Sequence, residues 1–335
     1  MKFVVTSSPH IRGKRNTQNI MRDVIIALIP TLAVGCVLFG FRALMVTILS
    51  ILAAVASEFV MGMVMYKRNT VKDLSSVVTG LLLALTLPAS VPYWVPVAGS
   101  VFAIVVVKGL CGGLGKNVFN PALAARALLM LICPANLVRF AKPGTALSAA
   151  SMSVDMTASA TPLHHMVMPA LPEESLLDMF LGNIGGCIGE VCTLAILLGG
   201  IYMLYKGVIS IRIPAAYIGT VAVLTLIFSK GDNAIAWMLY SILGGGLFLG
   251  AFFMATDYAT SPVTPKGQLL YGVGCGVLTV LIRYFGGFPE GVSYAILIMN
   301  LCAWAIDKAF RRYQFGVTKE DIAAMKAAKK AAKKA

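Results

Sequence analysis

The chain has 335 residues, of which 58% are hydrophobic and 13% charged, with a mean hydropathy of +0.84. Ordinary globular chains carry roughly 45–50% apolar and about 25% charged residues, and 14 acids cannot coat a soluble surface of this size. Soluble, collagenous, disordered and disulfide-framework proteins are excluded, and the net charge of +14 becomes a question of placement across a membrane rather than of attraction to nucleic acid.

Residues 1–23 are polar and basic (Lys2, Arg12, Lys14, Arg15, Arg22) and lack the short apolar core of a cleaved signal peptide, so the first apolar run is expected to stay as an anchor. Apolar runs follow at 24–40, 43–66, 75–88, 95–110, 120–133, 187–206, 213–229, 235–256, 268–285 and 290–308. A helix needs about 20 residues to cross about 30 Å of hydrocarbon. The runs 75–88 and 120–133 fall short of that, so ten crossings are expected, or nine if one short run re-enters. Domain by domain, the expectation is a basic cytoplasmic segment 1–23, a first transmembrane repeat 24–133, an external loop 134–186, a second repeat 187–308 and a basic cytoplasmic tail 309–335.

The expected fold is an all-α polytopic membrane protein of about ten transmembrane helices in two five-helix repeats. Five spans per half invert the second repeat relative to the first. The stretch 79–88 (Thr79-Gly80-Leu81 to Leu87-Pro88) echoes 245–254, and each is followed within ten residues by Ser and Pro. Inverted repeats with short or broken helices carry a site near the midplane. With the N-terminus inside, 22 of the 28 Lys and Arg fall on the cytoplasmic side and five outside (Arg42, Arg139, Lys142, Lys230, Arg283), with Arg126 inside a span. Positive residues are retained in the cytoplasm, which supports this orientation. The lysines of 326–334, spaced by alanines, read as a solvated or headgroup-facing tail without a nucleic-acid role.

Three groups of residues bear on chemistry. The first is the external string Asp155-Met156-Thr157-Ala158-Ser159-Ala160-Thr161-Pro162-Leu163, small and rich in hydroxyls, in a loop of a length that is usually functional. The second is Gly112-Gly113-Leu114-Gly115-Lys116-Asn117-Val118-Phe119-Asn120-Pro121-Ala122, a glycine-rich cytoplasmic turn feeding a helix capped by Asn120 and started by Pro121. It is not a phosphate loop, because Asn117 follows Lys116 where Ser or Thr is required. The third is the set of intramembrane ionisable residues Glu58, Arg126 and Glu190, with Asp257 at a span end. Glu58 and Glu190 are candidates for a cation path or for structural ion pairs. Arg126 is a candidate to pair with an acid or to draw negative charge toward a cofactor. The seven cysteines lie in or beside apolar runs and read as buried thiols, His10, His164 and His165 as surface residues, and no metal-ligand spacing is present.

The first string resembles the flavinylation motif of the NqrB/RnfD family, D-x-x-[ST]-x-A-T-P-L, in which FMN is joined through its phosphate to the threonine hydroxyl. The resemblance implies Thr161 as acceptor, Ala160 as the small residue before it and Asp155 as the upstream acid, there to hold a divalent metal or cap the turn. Thr157 and Ser159 remain alternative acceptors, and Ala158 stands where the family usually has Ser or Thr. In that family the G-K-N-x-x-N-P-A element lies near a non-covalent riboflavin, which makes Asn117 and Asn120 candidate contacts of a second flavin. Ser8-Pro9-His10 and the span pattern extend the likeness over most of the chain, and its length places it on the Rnf side of the family. The family implies a urea-transporter-like fold in a bacterial plasma membrane. It also implies electron flow between ferredoxin and NAD coupled to Na⁺ or H⁺ translocation, partner subunits of the Rnf A, B, C, E and G types, and a flavin transferase for maturation. The rival reading is an inverted-repeat channel or transporter for a small polar solute, without a redox role.

Overall fold

A computed structural model describes residues 16–65, 70–141, 143–144, 158–159, 172, 174–231, 233–286 and 291–310. Helix α1 (Thr17–Phe39) opens on Asn16, whose side chain accepts from the Asn19 amide. Gly40, at φ 74°, turns the chain directly into α2 (Phe41–Val64). With α12 (Pro265–Phe285) and α13 (Val292–Ala309), these are the four helices among the described residues that are long and apolar enough to cross a membrane. A fifth span is broken: α10 (Ala234–Leu243) and the stretch Leu247–Met254, which is α11 (Leu247–Leu249) plus a π-helical turn (Gly250–Met254), meet at 58°.

Five shorter apolar helices complete the bundle. They are α3 (Ser75–Leu85), α4 (Trp94–Phe102) with its π-helical extension (Ala103–Gly109), α5 (Pro121–Ile132), α8 (Thr193–Tyr205) and α9 (Arg212–Ile227). At a rise of about 1.5 Å per residue, the 11 residues of α3 and 12 of α5 are each shorter than the hydrocarbon is thick. Short α6 (Pro134–Leu137) and α7 (Leu176–Leu181) lie between the halves.

Three features differ from the sequence expectation. The span expected from 187 is helical only from Thr193, because residues 187–192 run irregularly. Their amides bond elsewhere: Ile188 N donates to Leu87 O (3.0 Å) and Gly189 N to Leu85 O (2.8 Å), closing off the end of α3. Non-helical backbone at membrane depth is stable only where protein satisfies it in this way. The span expected over 235–256 is bent at the Gly244-Gly245-Gly246 run. Finally, the fold is not wholly α, since Phe140–Ala141 pairs antiparallel with Ala158–Ser159.

Helices pack through small residues, as expected where lipid removes the hydrophobic drive between them. A Cβ on Gly199 of α8 would collide with Ala27 O of α1, and Gly272 and Gly276 of α12 press on the backbone of α9. The Tyr217 and Thr279 hydroxyls join the latter pair at 2.6 Å.

The segments assigned to one side by charge come together in space. The start of α1 (Ile20, Met21), Ser75, the 110–120 turn, Val208-Ile209 and 256–259 line one pocket. At the other end, Ser90 Oγ donates to Arg139 O, Gly144 N to Leu38 O and Tyr240 Oη to Glu174 O. Among the described residues, two of the cations expected outside are engaged by backbone carbonyls. Arg42, 4% exposed, donates from Nε to Ala89 O (3.0 Å) and from Nη2 to Ser90 O (3.2 Å) and Val91 O (3.1 Å). Arg283 donates to Ser241 O (2.5 Å) and Gly244 O (3.1 Å) at the break after α10. Helix ends inside a protein leave carbonyls unpaired, and a guanidinium with five donors covers several at once.

Candidate functional site

The glycine-rich turn is built for its path: Gly112, Gly113 and Gly115 all have positive φ, a region that side chains with a Cβ avoid. It delivers Asn120 as N-cap of α5, where Oδ1 accepts from Ala122 N (3.1 Å) and Leu123 N (3.5 Å), with Pro121 in the first turn. The same side chain does more than cap. Its Nδ2 donates to Met254 O (3.2 Å), the last residue of the second π-helical turn, so Asn120 ties the two halves together. Asn117 Nδ2 donates to Phe119 O (3.0 Å), and its side chain also reaches the Asp257 carboxyl.

Asn117 and Asn120 line a partly open, largely apolar pocket, with Lys108, Ser75, Thr256 and Asp257 as further polar groups. Apolar walls with a few placed polar atoms are the pattern of small-molecule sites. Burial pushes the Asp257 carboxyl above the usual carboxylate range, against the pull of hydrogen bonds from Thr260 and Asn117.

Lys108 sits on the π-helical end of α4 and is 3% exposed. Its Nζ lies 2.9 Å from Glu58 Oε2 and donates to Ser75 Oγ at 2.7 Å. Thr70 Oγ1 donates to the other Glu58 oxygen (2.7 Å), and Ser75 Oγ donates to Asp73 (2.7 Å). Of the two readings of Glu58, the structure places it in an ion pair. Sequence reasoning did not single out Lys108; the signal was an acid on a neighbouring span that needed a partner.

Arg126 is not part of this pocket. It lines a second, smaller cavity with Glu190, Thr86, Gly245, Gly246 and Ser293, where the end of α3, the irregular 187–192 segment and the α10–α11 break converge. Arg126 Nη2 approaches Cys187 Sγ at 3.6 Å. Glu190 is 8% exposed and packs where a Cβ on Gly246 would stand 3.3 Å from its carboxyl carbon. Asp155, Ala160, Thr161, His164 and His165 lie outside the described residues, as do the alternative acceptor Thr157 and the motif's Pro162. The backbone of Ala158–Ser159 is described and pairs with Phe140–Ala141. Cys187, Cys192 and Cys275 are buried thiols, while Cys111 and Cys302 are exposed.

The profile of the NQR2, RnfD, RnfE family matches residues 4–316. The chain is 46% identical over 324 residues to the D-type subunit of the Na(+)-translocating ferredoxin:NAD(+) oxidoreductase complex of Acetobacterium woodii, covering 95% of this chain and 97% of that one. It is 41% identical to the D-type subunit of the proton-translocating ferredoxin:NAD(+) oxidoreductase complex of Clostridium ljungdahlii (94% and 96% covered). It is 36% identical to the D-type subunit of the ion-translocating oxidoreductase complex of Shewanella amazonensis (94% and 99% covered).

Proposed function

Because the chain belongs to the NQR2, RnfD, RnfE family, we propose that it is the D-type membrane subunit of an ion-translocating ferredoxin:NAD oxidoreductase complex. In this reading electrons pass through FMN held by a phosphoester to Thr161, on the outer side of a bacterial plasma membrane. A second, non-covalent flavin, riboflavin, occupies the pocket at Asn117 and Asn120. The partners are the other complex subunits (A, B, C, E and G types) and a flavin transferase.

The observation that carries the reading is the donor set of that pocket. Two amides, an ammonium and a carboxyl between apolar walls match a flat heteroaromatic ring whose edges both donate and accept. When bound, the flavin supplies the electron-carrying chemistry, and the protein supplies orientation and electrostatics. Asn117 and Asn120 would hold the ring edge, and the α1 and α3 side chains that line the pocket would exclude water. At the other end, strand pairing of Ala158–Ser159 anchors the chain two residues before Thr161, whose hydroxyl is the group a phosphoester requires.

The finer fold reading is two inverted five-helix repeats with both termini cytoplasmic. It is supported by a recurrence: each half has a π-helical turn (Ala103–Gly109; Gly250–Met254), then a loop, then a helix opened by proline (Pro121; Pro265). The relatives' names include both Na⁺ and proton translocation, so either ion is compatible. The cavity at Arg126 and Glu190, where broken helices meet, is the feature a solute transporter would share.

The test is direct. The chain made in cells with a working flavin transferase, denatured in SDS, is expected to fluoresce on a gel. Thr161→Ala abolishes the signal while the protein stays in the membrane, and mass spectrometry of the 143–172 peptide localises an FMN-sized addition to Thr161. A dark wild-type band overturns the redox reading in favour of the transporter.

A further inference from the structure

A buried lysine is costly, and the Glu58–Lys108 pair is nearly sealed from solvent, with side chains 7% and 4% exposed. Buried ion pairs add little stability over apolar residues of the same shape, because desolvation offsets their attraction. Stability alone therefore does not account for this one. An ammonium has three donors. Lys108 uses one on Glu58 and one on Ser75, which leaves the third for the pocket that Lys108 lines. Asn117, Asn120 and Asp257 line the same pocket. A ligand in it therefore meets a cation, two amides and a carboxyl.

We propose that Lys108 is the charge-compensating donor of this pocket, its third N–H meeting the acceptor edge of a bound ring that becomes anionic on reduction. Glu58 and Ser75 are its positioning residues. The inference rests on the flavin reading of the pocket. A bound isoalloxazine would take two electrons from an external low-potential donor and one proton at N5, and the reduced ring would carry one negative charge. That charge lies on the N1–C2=O edge. An ammonium fixed at this edge favours the reduced over the oxidised form, because charge near N1 is a means by which proteins tune flavins. Glu58 and Ser75 hold the ammonium in one rotamer, so the charge is preset and needs no rearrangement on reduction.

The experiment uses the full chain in its purified complex, with dithionite as reductant. Two quantities are read: flavin released by acid per chain, and the midpoint potential of that non-covalent flavin by spectroelectrochemistry. In Lys108→Met the potential is expected to fall and flavin retention on dilution to weaken roughly tenfold to a hundredfold, the worth of one charged hydrogen bond. Lys108→Arg recovers most of both. Since Lys108→Met strands Glu58, the double variant Glu58→Gln/Lys108→Gln, neutral on both sides, provides the folded comparison and is expected to show the same fall in potential. Its gel fluorescence from Thr161 stays at the wild-type level. Unchanged potential and retention in Lys108→Met or the double variant overturn the role of Lys108 and leave the pocket reading standing. No acid-released flavin from the wild type overturns both.

Discussion

Arg42 and Arg139 look alike in sequence, two cations on the same side of the membrane, yet the structure gives them opposite roles. Arg42 is buried and covers three backbone carbonyls after α3, while the Arg139 side chain is exposed. Hydrogen bonds from a charged donor are worth about 1.5–3 kcal/mol each, and leaving their buried acceptors unpaired adds a desolvation cost. Arg42→Met is therefore expected to lose roughly 3 kcal/mol or more and Arg42→Lys less, since a point charge cannot span three carbonyls. Arg139→Ala should stay within about 0.5 kcal/mol of wild type. Thermal midpoints in detergent rank the three, and equal shifts for Arg42→Met and Arg139→Ala would contradict the capping role. Counting charges found both arginines but could not separate them, because burial is a property of what packs around a residue. The same limit applies to Glu58, whose partner Lys108 lies 50 positions away.

Among elements, α9 and α12 pack backbone against side chain with little between them. The spacing Gly272-x-x-x-Gly276 is visible in sequence as a small-residue face. Which glycines bear the contact is not. A Cβ on Gly276 would meet Thr220 Cβ at 2.6 Å and Tyr217 O at 3.1 Å, whereas one on Gly219 of α9 meets nothing within 4 Å. Gly276→Ala is expected to destabilise by about 1–3 kcal/mol through overpacking. Gly219→Ala should be neutral or stabilise by up to about 1 kcal/mol, since alanine is the better helix former. Opposite signs in a thermal melt verify the contact. Element lengths were largely legible, including the short α3 and α5. The irregular 187–192 segment was not, because an apolar run has the same composition whether it is helical or merely buried.

At the scale of the molecule, the alternation of loops between two faces predicts labelling. Cys111 is exposed on the 110–120 turn and Lys230 is exposed at the opposite end. With an impermeant maleimide, Cys111 is expected to react only in inverted vesicles and a Lys230→Cys substitution only in intact cells. The reverse pattern inverts the orientation, and reaction of both from one side breaks the two-face arrangement. Composition alone determined that the chain is a membrane protein, and its few charges sorted the loops into two sets that the fold then brought together. Local motifs were enough to mark Asn120 as a helix cap and to point to Thr161. Tertiary structure alone decided that Asn120 bridges to Met254, that Asn117, Lys108 and Asp257 share a pocket, and that Arg126 belongs with Glu190 in another. The reason is physical: hydropathy and capping are set by neighbours along the chain, whereas a pocket is made by residues far apart in sequence. Their meeting depends on how helices break and pack.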